Sequence, residues 1–333
     1  MSFYNASQPI NIQSVYTSNN VVEFLIKIPT SRALKSGSLR LSGYLKVKKT
    51  SPAGVTTSIT EKDKVFLNQY AGIHSVFSSI TSSINNRTIE GSLMHYARYV
   101  AMMTQHDSTP EGLITNSAHA SELKGCLNNY LLPGNNELRG ISFSCKPHIC
   151  LNKSSTDLPQ SKFSEMKITI QLANATECLY ISGGAPSTQT ISSLSYELSD
   201  LQLSWMETLE QPGMASEQTV FNCIDNMAQT ITGVNSNMQI KTSKPYNAMS
   251  ISFLRQIDKD NLYKDSLLCE YVPDIERVEI LVNGNDNPIT YAILPPCYQD
   301  IALNYYKSLS NSGAVIWKTQ TGEKNSIMNR FLS

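Results

Sequence analysis

The sequence predicts a mostly β protein, and three observations carry that expectation. Only 16% of the 333 residues are charged; Ser, Thr, Asn and Gln fill the polar positions, a balance that suits strands and turns better than helices laced with ion pairs. Apolar and polar residues alternate at period two over many short stretches. An ordered series of strand, Asn-bearing turn, short strand and Tyr-bearing helix also occurs twice, which suggests two copies of one β-rich unit.

The first strand is read from Val22, Phe24, Ile26 and Ile28, which alternate with Glu23, Leu25 and Lys27 until Pro29 ends the run. In the second, Leu39, Leu41, Leu45 and Val47 face one way. Arg40, Ser42, Tyr44, Lys46 and Lys48 face the other, a basic stripe expected to be solvated. The stretch GIHSVFSSITSSINNRTIEG, residues 72–91, reads as a strand through Ile80, Ser82 and Ile84 into a tight turn at Asn85-Asn86, with Thr88 and Ile89 resuming an extended path. The period then changes. Leu93, Tyr96, Ala97 and Val100 lie on one helix face. Residues 104–137, with Pro110, Gly112, Pro133 and Gly134, read as a long excursion between strands.

Three more strands are expected in the first half: Ile141 to Leu151, the run Met166, Ile168, Ile170, Leu172, and Leu194 to Trp205. In the last, Leu194, Tyr196 and Leu198 slip by one before Leu201, Leu203 and Trp205, the register change of a β-bulge. The polar run ETLEQPGMASEQT, residues 207–219, is the candidate boundary between two units, 1–210 and 211–333. In the second unit Met249, Ile251 and Phe253 alternate. Val278, Ile280 and Val282 then lead into Asn283-Gly284, Ile289 and Tyr291 resume, and Tyr298, Ile301, Ala302, Tyr305 and Leu309 form a helical face.

Charge and cysteine usage limit the function classes. Lysine plus arginine and aspartate plus glutamate are 27 each, so no net field draws the chain to nucleic acid or an anionic membrane. The first residues lack a secretory pattern and no stretch is long and apolar enough to span a bilayer, so the chain is expected to be soluble. Seven scattered cysteines lack the short paired spacings of a disulfide framework or zinc site and suit a reducing compartment. Sequons at Asn5, Asn86, Asn152 and Asn174 would matter only in a secreted protein.

Catalytic chemistry is not nominated by any motif. His74, His95, His106, His119 and His148 form no zinc-protease spacing. In Cys145-Lys146-Pro147-His148-Ile149-Cys150, strand alternation would send Cys145 away from both His148 and Cys150, against convergence on one ion. Asp258 and Asp260 flank Lys259 as a solvated loop would. Tyr96, Tyr99, Tyr298, Tyr305 and Tyr306 sit at helical spacing, which favours packing over a base-stacking platform. No catalytic, cofactor-binding or metal-binding residue is therefore assigned, and no cofactor is expected.

Three segments resemble the double jelly-roll lineage of viral capsid proteins: the strand pair VVEFLIKIP and SGSLRLSGYLKVKK, the segment GIHSVFSSITSSINNRTIEGSLMHYARYV, and the crossing SYELSDLQLSWMETLEQ. The resemblance implies an all-β fold of two consecutive jelly-roll β-sandwiches with short flanking helices, the first over 1–210 with its loop at 104–137, the second over 211–333. The second roll reads as short, with a single apolar run at Ala314 to Trp317 after the Tyr-bearing helix. Its strands are distributed differently, or the chain is a penton-like or minor capsid protein, or part of the roll lies outside this chain. The resemblance further implies a non-enzymatic structural protein of an icosahedral virion, made in the host cytoplasm. Its partners would be its own copies in pseudo-hexagonal homotrimers, neighbouring capsomers, and penton or minor proteins; an internal membrane could lie nearby, and no specific nucleic acid is implied. A carbohydrate-binding or cupin-like β-sandwich and a receptor-binding spike remain as alternatives.

Overall fold

The computed structural model describes residues 2–60, 63–91, 95–107, 121–131, 140–181, 191–224, 228–230, 258, 261–267, 277–280 and 289–292. The strands are β1 (Ser2–Ser7), β2 (Val21–Lys27), β3 (Arg32–Leu34), β4 (Arg40–Thr50), β5 (Thr56–Ser58), β6 (Val65–Phe66), β7 (Phe77–Ile84) and β8 (Arg87–Glu90). They continue as β9 (Ile141–Cys145), β10 (Leu158–Pro159), β11 (Glu165–Leu172), β12 (Tyr180–Ile181), β13 (Ser193–Leu209), β14 (Arg277–Ile280) and β15 (Ile289–Ala292). Helix α1 (Tyr96–Asp107) comes after β8, and a single turn, α2 (Ala175–Cys178), after β11.

Eight principal strands make the first half. One sheet runs β1-β13-β4-β9, with β3, β10 and β5 added at its margins; the other runs β2-β11-β7-β8. Numbered first to eighth along the chain, these strands lie in the orders 1-8-3-6 and 2-7-4-5. First pairs with eighth, second with seventh, third with sixth and fourth with fifth, all antiparallel. That is one long hairpin rolled up until eighth also meets third and seventh meets fourth. It is the jelly roll, in which antiparallel strands close two sheets over one core.

Period-two patterning places the core. Phe24 and Ile26 of β2, Ile80 and Ile84 of β7, and Met166, Ile168 and Ile170 of β11 are buried. Leu41, Leu45 and Val47 of β4 and Leu194, Tyr196 and Leu198 of β13 meet them in the same cluster. Each fully buried aliphatic side chain contributes about 1.5–3 kcal/mol relative to exposure. The predicted slip in β13 is present: the register against β4 shifts between Ser199 and Gln202. Asp200 there has φ 49°, and Leu201, Leu203 and Trp205 return to the interior beyond it. Gly43 makes room for the bulge, because a Cβ at that position would lie 2.8 Å from Leu201 Cδ2 and 3.0 Å from the Ser199 carbonyl oxygen. The turn after β7 is the expected one, with Asn85 and Asn86 at φ 48° and 63°, the left-handed pair a two-residue hairpin needs.

Four expectations are revised or bounded. The strand predicted over Ile141 to Leu151 stops at Cys145, because Pro147 has no N–H to offer the ladder. A 3-10 turn, Cys150–Asn152, comes after it. Gly72–Val76 is also a 3-10 turn, and extended backbone begins only at Phe77. The helix starts at Tyr96, with Tyr96, Ala97 and Val100 buried as its face predicts; Leu93 lies outside the described residues. Within the excursion 104–137, residues 121–131 are packed onto the roll: Leu123 and Leu127 are buried, and the Glu122 and Gly125 carbonyls accept hydrogen bonds from Ile73 N and Leu67 N. They could not do this as a detached surface loop.

In the second half, β14 and β15 pair antiparallel with Val278 opposite Tyr291 and Ile280 opposite Ile289, the hairpin arms the alternation predicts. The turn at Asn283-Gly284, the runs at 249–253 and 314–317, the Tyr-bearing helix and the other strands expected of a second roll lie outside the described residues.

Replacing Gly43 by alanine is expected to cost about 1–3 kcal/mol, the usual penalty for overpacking. The same change at Gly91, where a Cβ meets nothing within 4 Å, should stay within about 0.5 kcal/mol of the parent. Urea denaturation midpoints of the two variants measure both.

Candidate functional site

The polar residues singled out by sequence converge on joints between segments. His74 lies in the Gly72–Val76 turn and is fully buried. The Tyr96 hydroxyl, from the first residue of α1, shares a hydrogen bond with His74 Nδ1 at 3.0 Å and accepts the His148 backbone N–H at 2.9 Å. The other ring nitrogen, Nε2, is 4.0 Å from Glu122 Oε1 and makes no hydrogen bond. Glu122 in turn pairs with Lys124 at 3.1 Å. Gly72 permits this approach. At φ 55° it takes a conformation that favours glycine, and a Cβ there would stand 2.3 Å from the Glu122 carbonyl oxygen.

Burial, together with the neighbouring His148 and Lys124, holds the His74 pKa well below its ordinary value. Burial, with Lys153, Lys124 and Lys146 nearby, lowers that of His148 to about 4. Both rings are therefore neutral near neutral pH. A Glu–His–Tyr series resembles a relay, yet its hydroxyl is sealed inside and its pKa is raised well above the usual phenol value by burial. It fastens α1 and residues 121–124 to the turn before β7.

Three carboxylates make further joints. Glu207 of β13 accepts from Arg32 Nη1 at 2.9 Å, Asn5 Nδ2 at 3.1 Å and Trp205 Nε1 at 2.9 Å, binding β1 and β3 to β13. Burial raises its pKa, but these donors outweigh it and the net shift is downward. Asp63 behaves alike. Burial is offset by Lys49 Nζ at 2.7 and 2.8 Å and by the Thr60 donors. At the end of β8, Glu90 accepts the backbone N–H of Cys150 at 2.9 Å and of Ile224 at 3.0 Å. Here burial wins and the carboxyl is raised.

The remaining sequence candidates also sit in structural contacts. Cys145 and Cys150 are buried, and His148, between them, is half-buried. The feature spacing could not suggest is that Cys223, 73 positions away, comes beside Cys150: burial, Glu90 and the neighbouring Cys223 thiol raise the Cys150 pKa. Tyr99 holds the Lys153 ammonium at 2.8 Å from its hydroxyl. Asn152 is buried with its side chain bonded to Leu39 N, Leu39 O and Pro147 O, so this sequon is spent on structure. On the basic stripe of β4, Lys48 pairs with Glu197 across the sheet. Asp258 is half-buried; Asp260, His119, Tyr298, Tyr305 and Tyr306 lie outside the described residues. Among the described residues, no three His, Cys, Asp or Glu side chains are grouped to hold a metal ion.

No protein-family model and no curated protein matches the chain. Solved structures do. A chain of the Sputnik virophage cryo-EM structure aligns with 64% of this chain and 49% of its own length, at TM-score 0.41 and 10% identity. The Faustovirus major capsid protein aligns over 65% and 55%, at TM-score 0.34 and 9% identity. The mavirus major capsid protein aligns over 62% and 46%, at TM-score 0.34 and 10% identity. The matched region thus spans about half the length of each of these structures.

Because the imidazoles are held neutral by burial, their folded-state pKa values lie below the unfolded value near 6.5. The unfolded chain binds more protons below that pH, so the contribution is complete above about pH 6.5 and is lost as pH falls toward 4. His148→Gln keeps the backbone N–H that bonds Tyr96 and removes one titrating ring. Its denaturation midpoint should fall less between pH 7 and pH 5 than that of the parent.

Proposed function

We propose that the chain is a structural, non-enzymatic protein of an icosahedral virus capsid, located in the virion and assembling with copies of itself into pseudo-hexagonal homotrimeric capsomers. The observation that carries this reading is the complete eight-strand roll in residues 2–209, with strand orders 1-8-3-6 and 2-7-4-5. Its interior is filled with side chains, and its buried carboxylates hold segments together. A roll built in this way offers its outer faces and end loops for work, and balanced charge, 27 against 27, lets identical copies approach without a repelling net field. Neighbouring capsomers and penton or minor capsid proteins are its further partners in this reading.

Light scattering on the purified full chain tests it first. A mass of three protomers is expected, with negative-stain images showing pseudo-hexagonal outlines or closed particles. A strict monomer at high concentration, elongated projections, or specific retention of a glycan would each overturn it.

A further inference from the structure

We propose that Cys150 and Cys223 are a redox pair that closes into an intramolecular disulfide when the chain meets a small-molecule disulfide such as oxidised glutathione. After β13 the chain turns back and runs antiparallel along residues 153–156. Thr219 Oγ1 lies 3.1 Å from Thr156 Oγ1, Val220 O accepts the Ser155 N–H at 3.0 Å, and Phe221 bridges Ser154. The Asn222 side chain donates to the Lys153 carbonyl at 3.3 Å. This register brings residue 223 toward the 3-10 turn that starts at Cys150.

Glu90 then fixes the gap. One carboxylate oxygen takes the Cys150 N–H and the other takes the Ile224 N–H, at 2.9 and 3.0 Å. The Cys150 and Ile224 backbones are thereby held on the two oxygens of one carboxylate, which brings Cys223 beside the Cys150 turn; a disulfide between them needs Cα atoms roughly 4.4–6.8 Å apart. The Cys223 thiol also contacts the Ile89 carbonyl at 3.7 Å. Both thiols are reduced here; Cys150 is buried and Cys223 is half-buried, so the oxidant meets Cys223 first.

The exchange balances with that oxidant. The Cys223 thiolate attacks a glutathione disulfide sulfur, forming a mixed disulfide and releasing one glutathione thiolate. Cys150 then loses its proton to hydroxide, its thiolate attacks the Cys223 sulfur, and the second glutathione leaves as its thiolate. Two protein thiols are oxidised and one oxidised glutathione becomes two reduced ones. Burial and the Glu90 charge raise the Cys150 pKa strongly, so the second step is slow at neutral pH and quickens as pH rises.

The inference rests on this joint and is independent of the assembly reading. The full-length reduced chain is incubated with excess oxidised glutathione, denatured in iodoacetamide, digested without reduction and read by mass spectrometry. The expected product is a peptide pair linked through Cys150 and Cys223, absent from Cys223→Ser and from Cys150→Ala, with circular dichroism reporting the fold of both variants. Cys223 is only half-buried, so Cys223→Ser keeps the test open if the other variant fails to fold. Recovery of Cys150 as the iodoacetamide adduct after oxidation, or of Cys223 only as its glutathione adduct, overturns the proposal.

Discussion

The first half depends on β13 being paired along both edges. Along one edge it lies against β4 from Ser193 to Ser204 and then against β3 from Glu207 to Leu209, and along the other it takes β1 from Leu203 to Thr208. A straight 17-residue strand could not keep one face inward throughout, because its twist carries the far end away from the opposing sheet. The bulge at Asp200 solves this by inserting one extra residue into β13 alone. Tyr196 and Leu198 before it and Leu203 and Trp205 after it all reach the same core. Gly43 on the neighbouring strand is the space in which that irregularity fits.

Polar groups inside such a sandwich must justify their desolvation, and they do so by joining segments distant in sequence. Glu207 and Asp63 each meet a cation as well as neutral donors, and their pKa values fall despite burial. Glu90 is satisfied chiefly by two backbone N–H groups, which offset burial only in part. The contrast comes from donor charge, since hydrogen bonds to ionised partners are roughly twice as strong as neutral ones. An arrangement that uses these buried carboxylates in this way has distributed its polar groups for cohesion, which is why His74, although placed like a catalytic base, meets only a sealed tyrosine and a glutamate 4.0 Å away.

Legibility in the sequence depends on element length and amphipathic contrast. Strands β2, β4, β7, β11 and β13 have one wet and one dry face over at least seven residues, so period two marks them, and the Asn85-Asn86 turn is marked by residues that tolerate left-handed backbone. Strands β3, β5, β6, β10 and β12 have only two or three residues, too few to display a period, and β1 has no buried face to alternate. The joints are illegible for another reason. Nothing local distinguishes the glutamate in RTIEG from a surface acid, because its partners are 60 and 134 positions away. The Cys150–Cys223 meeting has the same origin: antiparallel return after β13 creates a proximity that cysteine spacing cannot encode.

That return also bears on how the two halves of the chain are connected. The polar run with Pro212-Gly213 reads as the boundary between two units, and the residues just beyond it are tied down at 219–224 by backbone, side-chain and Glu90 hydrogen bonds. A second attachment lies at 261–267. Leu262 O accepts the Ile181 N–H at 2.8 Å, Asp265 Oδ2 takes Asn68 Nδ2 at 2.7 Å, and Leu267 packs on Tyr70, Ala71 and Ala101. Two attachments at separate places thus hold the chain to the roll, at 219–224 and again at 261–267. Residues 210–218 are attached to the roll as well, through Glu210 N to the Ser31 carbonyl and Lys162 Nζ to the Glu217 carbonyl, and drawing residue 224 away from the roll must first break the Glu90 joint.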